Sequence, residues 1–139
     1  MSKSMVALVV IASTLLLLLM AAPCASAARH TPRQCDPRLD VQVSQSASGA
    51  PQLDGTRQFD VVITNAWRGP VRDVHLNCGY RFRTVRNVDP AMLVQVGPAD
   101  CPLIDGGAIA PGGRVSFSYF SYVRYTMDVV GATCAARRP

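Results

Sequence analysis

The glycine pairs Gly106–Gly107 and Gly112–Gly113, in DCPLIDGGAIAPGGRVSFSYF, are the first residues whose spacing suggests chemistry. A phosphate-cradling loop needs G-x-x-x-x-G-K-[ST] between a strand and a helix, so that backbone amides and a lysine meet the anion. Gly107 and Gly112 have that separation, but Gly113 stands where the lysine belongs, and a strand-like alternation follows. The stretch reads instead as two turns. Leu103-Ile104, Asp105-Gly106 and Ala108-Ile109 read as a small hairpin, because Asp-Gly suits two successive positive φ angles. Pro111-Gly112-Gly113 then feeds a strand from Arg114.

The remaining chemistry-bearing residues are few. His75 lies two residues from Asp73 on one strand face, a pairing able to orient a general base. No serine or cysteine nucleophile motif accompanies it, so a structural pair is the expectation. Glutamate is missing from the sequence, which removes the usual carboxylate pairs of glycoside hydrolysis. No calcium loop and no cluster of metal ligands is present. We therefore expect a protein that is not an enzyme, with no catalytic residue, no metal and no cofactor.

Cys35, Cys78, Cys101 and Cys134 lack the close C-x-x-C pairs with histidines that a zinc site needs, so two disulfides are expected in preference to zinc. Four cysteines allow three connectivities, and the spacing leaves all three open. The fifth, Cys24, falls in an N-terminal segment of export type. Lys3 supplies a positive start, Met5 to Ala22 are nearly all apolar, and Ala25-Ser26-Ala27 has small residues at a cleavage site. The expected division is 1–27 signal peptide, 28–37 flexible lead-in, 38–134 folded domain and 135–139 tail. After cleavage no membrane insertion is expected, and the protein is secreted.

Beyond residue 27 the chain has 13 arginines and 9 aspartates, with neither lysine nor glutamate. The modest positive balance suits weak association with an acidic surface such as a cell wall. The arginines are scattered among aspartates without an aromatic stacking pattern, so nucleic acid is not expected as a partner.

Stepping along the chain, apolar residues recur every second position. Leu39, Val41 and Val43 form one set, and Phe59, Val61 and Ile63 another. Val74, Leu76 and Cys78 follow, then Met92, Val94 and Val96, then Val115, Phe117 and Tyr119, then Met127 and Val129. Period two with β-branched and aromatic residues means half-buried strands. Gly, Pro, Asn and Asp separate them, and no stretch after the signal has a helical period. The fold class is all-β: an antiparallel β-sandwich of about six to eight short strands, stapled by two disulfides. A parity change after Tyr119 predicts a bulge near Phe120.

The order of short motifs resembles the plant tapetum-determinant family of small secreted cysteine-rich proteins. It runs Cys35, VQVSQS, Gly49 to Pro51, FDVVITN, VHLNCG, VDP, CPLIDGG and VSFSY, and covers about 35–134. The resemblance implies a secreted ligand for a leucine-rich-repeat receptor kinase ectodomain at the plant cell surface. Such ligands act in anthers, where they specify the tapetum and limit germ-line precursor number. The family usually has two further cysteines before the VHLNCG motif, whereas this chain reads AWRGPVRD there. If the two absent cysteines pair with each other in relatives, the other four still form two bridges.

Recognition is expected on the loops Ala66–Asp73 and Asp105–Gly113, because loops on a rigid scaffold carry binding residues. The receptor-binding candidates are Trp67, Arg68, Arg72, Asp105 and Gly106. A second reading is a carbohydrate-binding module of the apoplast with no signalling role, using Trp67, Tyr80, Tyr122 and Tyr125 as an aromatic platform. A flat row of exposed rings would favour that module, and buried tyrosines the ligand.

Overall fold

The computed structural model describes residues 32–135; the expected signal segment, its cleavage site and all but the first residue of the expected tail lie outside them. A single helical turn, α1 (Pro37–Asp40), opens the domain. Asp36 caps it by accepting the Arg38 N–H at 3.0 Å, and the buried Asp40 carboxylate accepts the Asp36 N–H at 2.8 Å. Pro37 suits the first helical position, where no amide hydrogen is needed. The last residues of the expected lead-in are thus fixed to the domain, and Leu39 is exposed on the turn, not a strand residue.

Six strands follow: β1 (Val41–Ser48), β2 (Arg57–Asn65), β3 (Val71–Asn77), β4 (Asp100–Pro102), β5 (Arg114–Ser121) and β6 (Asp128–Cys134). They form two antiparallel three-stranded sheets, ordered β1-β2-β5 and β4-β3-β6. The period-two alternation turns Phe59, Val61, Ile63, Phe117 and Tyr119 of the first sheet inward. Val71, Val74, Leu76 and Val129 of the second sheet, with Met127 just ahead of β6, join them in one core. Burying each such side chain contributes about 1.5–3 kcal/mol, which makes this shared layer the main stabilising term.

The cysteines pair as Cys35–Cys134 and Cys78–Cys101, with Cα atoms 6.2 and 6.0 Å apart. The first ties the chain ahead of α1 to the end of β6, across 99 residues. The second closes a 23-residue loop between β3 and β4. Chain-entropy arguments give about 4.7 and about 3.4 kcal/mol respectively.

Three local expectations are corrected. Met92–Val96 is not a strand: Leu93, of the opposite parity, is the buried residue and makes only an isolated bridge to Leu103. The hairpin expected over Leu103–Ile109 does not pair with itself. Leu103 donates to the Val74 carbonyl and Ile109 exchanges two hydrogen bonds with Val71, so both halves dock on β3. A 3-10 turn at Ile104–Gly106 joins them, with three successive positive φ angles of 43°, 50° and 75°. The bulge is not at Phe120, where the β2–β5 register runs unbroken from Thr64↔Arg114 to Arg57↔Ser121. It lies in β3, between Arg72 and His75, where Asp73 takes φ 50°.

Candidate recognition surface

The first sheet fixes two poles. At one, β2 ends at Asn65 beside the start of β5; at the other, Arg57 pairs with Ser121. Asn65 continues the inward parity of Phe59, Val61 and Ile63, and so a polar side chain is fully buried. Burial of an amide without partners is costly, and this one is fully engaged. Its Nδ2 donates to the carbonyls of Gly69 and Ile109, each at 2.9 Å, and of Ala110 at 3.2 Å. Its Oδ1 accepts the Trp67 N–H at 2.8 Å. Its main chain bonds Gly113 and Gly112 at 3.0 and 2.8 Å. One side chain thereby pins the loop after β2 to the loop before β5. Val71 and Ile109 add the two-bond bridge that completes the join.

The sequence-derived candidates fall in two groups: Trp67, Arg68, Asp105 and Gly106 sit on these two loops, whereas Arg72 lies in β3 beside its bulge, so the loop expected over Ala66–Asp73 ends before Val71. Trp67 packs half-buried against the core, with the Arg68 guanidinium 4.9 Å from its ring centroid. A Cβ on Gly69 would come within 2.6 Å of the Ala135 carbonyl and 3.3 Å of the Trp67 indole nitrogen, so only glycine lets the turn close. The indole N–H is buried and has no hydrogen-bond partner among the described residues.

Arg72, Asp105 and Gly106 form the second group, gathered around Asp73. The Arg72 Nε lies 3.5 Å from the Asp73 carboxylate, and both side chains are exposed. A Cβ on Gly106 would stand 2.8 Å from Asp73 Oδ1. Asp73 and Ile104–Gly106 therefore bring left-handed backbone together from two sides. For a β-branched residue such as Ile104 that conformation costs about 1–3 kcal/mol, and it persists only where surrounding bonds enforce it. Here they are Ile104 N–H to the Met92 carbonyl and Gly107 N–H to the Ile104 carbonyl, both 2.9 Å.

Sequence reasoning missed Asn65 as the hub. The signal was present: an asparagine at the next inward position after three core residues must find internal partners. Gln45, inward by the same parity after Val41 and Val43, was missed likewise. It accepts from the Tyr119 hydroxyl at 3.0 Å and donates to the Tyr125 carbonyl at 2.9 Å. Burial pushes the Tyr119 phenol above its ordinary pKa, despite the Tyr125 N–H bonded to it at 3.0 Å.

The other candidates for chemistry fall apart or change partner. His75 does not pair with Asp73, which the bulge carries away. Its Nδ1 meets Asp100 Oδ1 of β4 at 2.8 Å. These two border a shallow cleft of about 580 Å³ with Asn77, Pro98, Ala99, Val130 and Gly131, and no serine or cysteine lines it. Among the described residues no group of three His, Cys, Asp or Glu side chains gathers where it could hold a metal. The four rings of the proposed aromatic platform do not make a row. Trp67 packs at the β2–β3 turn, whereas Tyr125 packs edge-on to Phe82 at 5.1 Å; only Tyr80 and Tyr122 are largely exposed.

Fold and surface together define a small disulfide-stapled β-sandwich that presents a pair of loops joined through Asn65. The chain belongs to the tapetum determinant 1 family: the model described as "Tapetum determinant 1, C-terminal" matches residues 38–135. It is 38% identical over 103 residues to TPD1 protein homolog 1A of Oryza sativa subsp. japonica, covering 68% of this chain and 45% of that protein. It is 28% identical over 97 residues to TPD1 protein homolog 1 of Arabidopsis thaliana, covering 68% of this chain and 53% of that protein. The chain thus spans about half the length of these curated relatives. No solved structure gives a significant match.

Proposed function

We propose that this protein is a secreted, non-catalytic signalling ligand that binds the ectodomain of a plant leucine-rich-repeat receptor kinase in the apoplast and specifies anther cell fate. Family membership and the two disulfides support it. The observation that carries the reading is the Asn65-pinned pair of loops. A surface already ordered before binding loses little entropy on docking. The concave face of a leucine-rich solenoid accepts a compact partner of this kind. The proposed contacts are Trp67, Arg68, Arg72, Asp105 and Gly106, with Trp67 stiffening the turn under Arg68.

The test is binding of the purified, oxidised protein to a panel of immobilised leucine-rich-repeat ectodomains, with pectin and cellulose in parallel. Saturable binding to one ectodomain, weakened at least tenfold by R68A/R72A, is the expected result. Binding to polysaccharide alone, with no ectodomain bound, would overturn the ligand reading in favour of a wall module.

A further inference from the structure

The opposite pole of the first sheet carries a surface that the receptor reading does not use. Eight residue steps of β2 separate Arg57 from Asn65, so the two poles lie about 26 Å apart. Near the Arg57 end, the segment YRFRTVR (80–86) runs beside the end of β5 and the residues after it. It is fixed at several points. The Cys78–Cys101 bridge closes its base. Phe82 is buried edge-on to Tyr119 and Tyr125, at 5.6 and 5.1 Å. The Tyr125 hydroxyl accepts the Arg83 N–H at 3.3 Å and donates to the Arg83 carbonyl at 3.2 Å. Val85 donates to the Phe120 carbonyl at 2.8 Å, and the Arg86 guanidinium lies 4.3 Å over the Phe120 ring.

With Phe82 turned in, Arg81 and Arg83 are exposed on either side of it, and Arg124 is exposed on the neighbouring segment. None of these three forms an ion pair among the described residues. The acidic groups nearby are occupied. The Asp54 carboxylate accepts from Thr56 N–H and Oγ1 and feels the Arg86 charge, and Asp89 accepts the Ala91 N–H. Tyr80 and Tyr122 are 76% and 65% exposed on the same two segments.

We infer that this pole binds an acidic polysaccharide, a polyuronate, through Arg81, Arg83 and Arg124 with Tyr80 and Tyr122 beside them. The cations are all arginine, whose planar fork takes a carboxylate through two parallel hydrogen bonds. The Tyr125 hydroxyl already fixes the Arg83 main chain, so less backbone freedom is lost on binding a repeating polyanion, and the release of counterions adds drive. The exposed phenol rings offer flat apolar faces to sugar rings. A folded protein partner fits less well, because interface centres are depleted of charge and this patch is dominated by it. The inference is independent of the receptor contacts, which lie at the other pole.

The experiment measures binding of the full-length secreted, oxidised protein to immobilised polygalacturonate, its fully methyl-esterified form and polyglutamate, across a salt series. Polygalacturonate should bind in a salt-sensitive manner, and the methyl ester, with its carboxylates capped, should not. R81Q/R83Q should lower affinity at least tenfold and flatten the salt dependence. The charge-matched pair R38Q/R114Q, at the Asn65 pole, should change it less than twofold. Y125F leaves every charge in place but releases the Arg83 main chain, and should lower affinity several-fold. Equal losses in the two double variants, or equal binding to the methyl ester, would overturn the site. Binding to polyglutamate without binding to polygalacturonate would replace the polysaccharide with an acidic protein.

Discussion

Replacing Asn65 tests whether the two candidate loops are held by hydrogen bonds or only by packing. The side chain is fully buried, donates to three carbonyls with two protons, and accepts one N–H. N65A removes these bonds and strands the Trp67 N–H; the Gly69, Ile109 and Ala110 carbonyls each lose a donor, although Ile109 and Ala110 keep the Val71 and Gly113 N–H groups. At about 1 kcal/mol per lost bond, with about 1–3 kcal/mol for a group left buried and unpaired, the cost is about 3–5 kcal/mol. Against a total stability of about 5–15 kcal/mol, that lowers Tm by about 15–30 °C. N65D separates the explanations. It conserves volume and keeps the acceptor for Trp67, so a packing argument makes it mild. The hydrogen-bond argument makes it at least as damaging as N65A at pH 7, because a carboxylate then faces three carbonyl oxygens. The sign of its pH dependence follows. A carboxyl whose folded pKa is raised binds its proton more tightly in the native state, so N65D regains stability as pH falls through that value. Thermal melts followed by circular dichroism, with fluorescence of Trp67 (the single tryptophan) reporting the loop, give both quantities. N65D within about 1 kcal/mol of the parent at pH 7 would refute the hub.

Three further outcomes follow from the same geometry. G106A forces a Cβ to within 2.8 Å of Asp73 Oδ1 at a positive φ, so it should cost about 1 kcal/mol in urea unfolding and shift the Asp73 carboxylate resonance in NMR spectra. C78S/C101S should lose about 3 kcal/mol and C35S/C134S about 4–5 kcal/mol by chemical denaturation, with new proteolytic cuts within 79–100 only in the first pair. Hydrogen bonds from Ser118 and Gln58 hold the Asp60 carboxyl below its ordinary value, so its contribution is present above pH 4 and lost as pH falls through the lowered pKa. D60N should therefore lower stability at neutral pH, flatten the acid limb of the profile and leave stability below the lowered pKa little changed.

Much of the fold was legible because β-sandwich strands with one face buried impose a strict parity. The sets at 59–63, 74–78 and 115–119 are inward, as their alternation requires. The errors fall where two parities competed. In AMLVQV, Met92, Val94 and Val96 alternate, yet Leu93 is the buried residue, with Met92 only partly buried beside it and Val94 and Val96 exposed. At β3 the sequence carried its own warning, since Val71 and Val74 are three residues apart and both buried. Two inward residues at that spacing require one extra residue in the strand, and Asp73 is that residue. The disulfide pairing was beyond reach, because it depends on which strand ends meet.

The candidate site was harder to read for a different reason. Sequence reasoning looked for recognition in exposed residues of turns, whereas what holds those turns together is polar and internal. Asn65 and Gln45 occupy inward positions of β2 and β1 and face opposite demands. Asn65 joins two loops at one pole, and Gln45 orients Tyr119 and Tyr125 above the other half of the sheet, where Tyr125 in turn clamps Arg83. Each surface therefore rests on an amide, fully buried in Asn65 and partly buried in Gln45, at a strand position that alternation marks as core. An apolar residue at either position would pack, and the strands would still form. The loops above it would lose their shared anchor. The test of that view is N65L and Q45L side by side: each should retain the β-sheet circular dichroism spectrum. N65L should weaken ectodomain binding alone, and Q45L polyuronate binding alone.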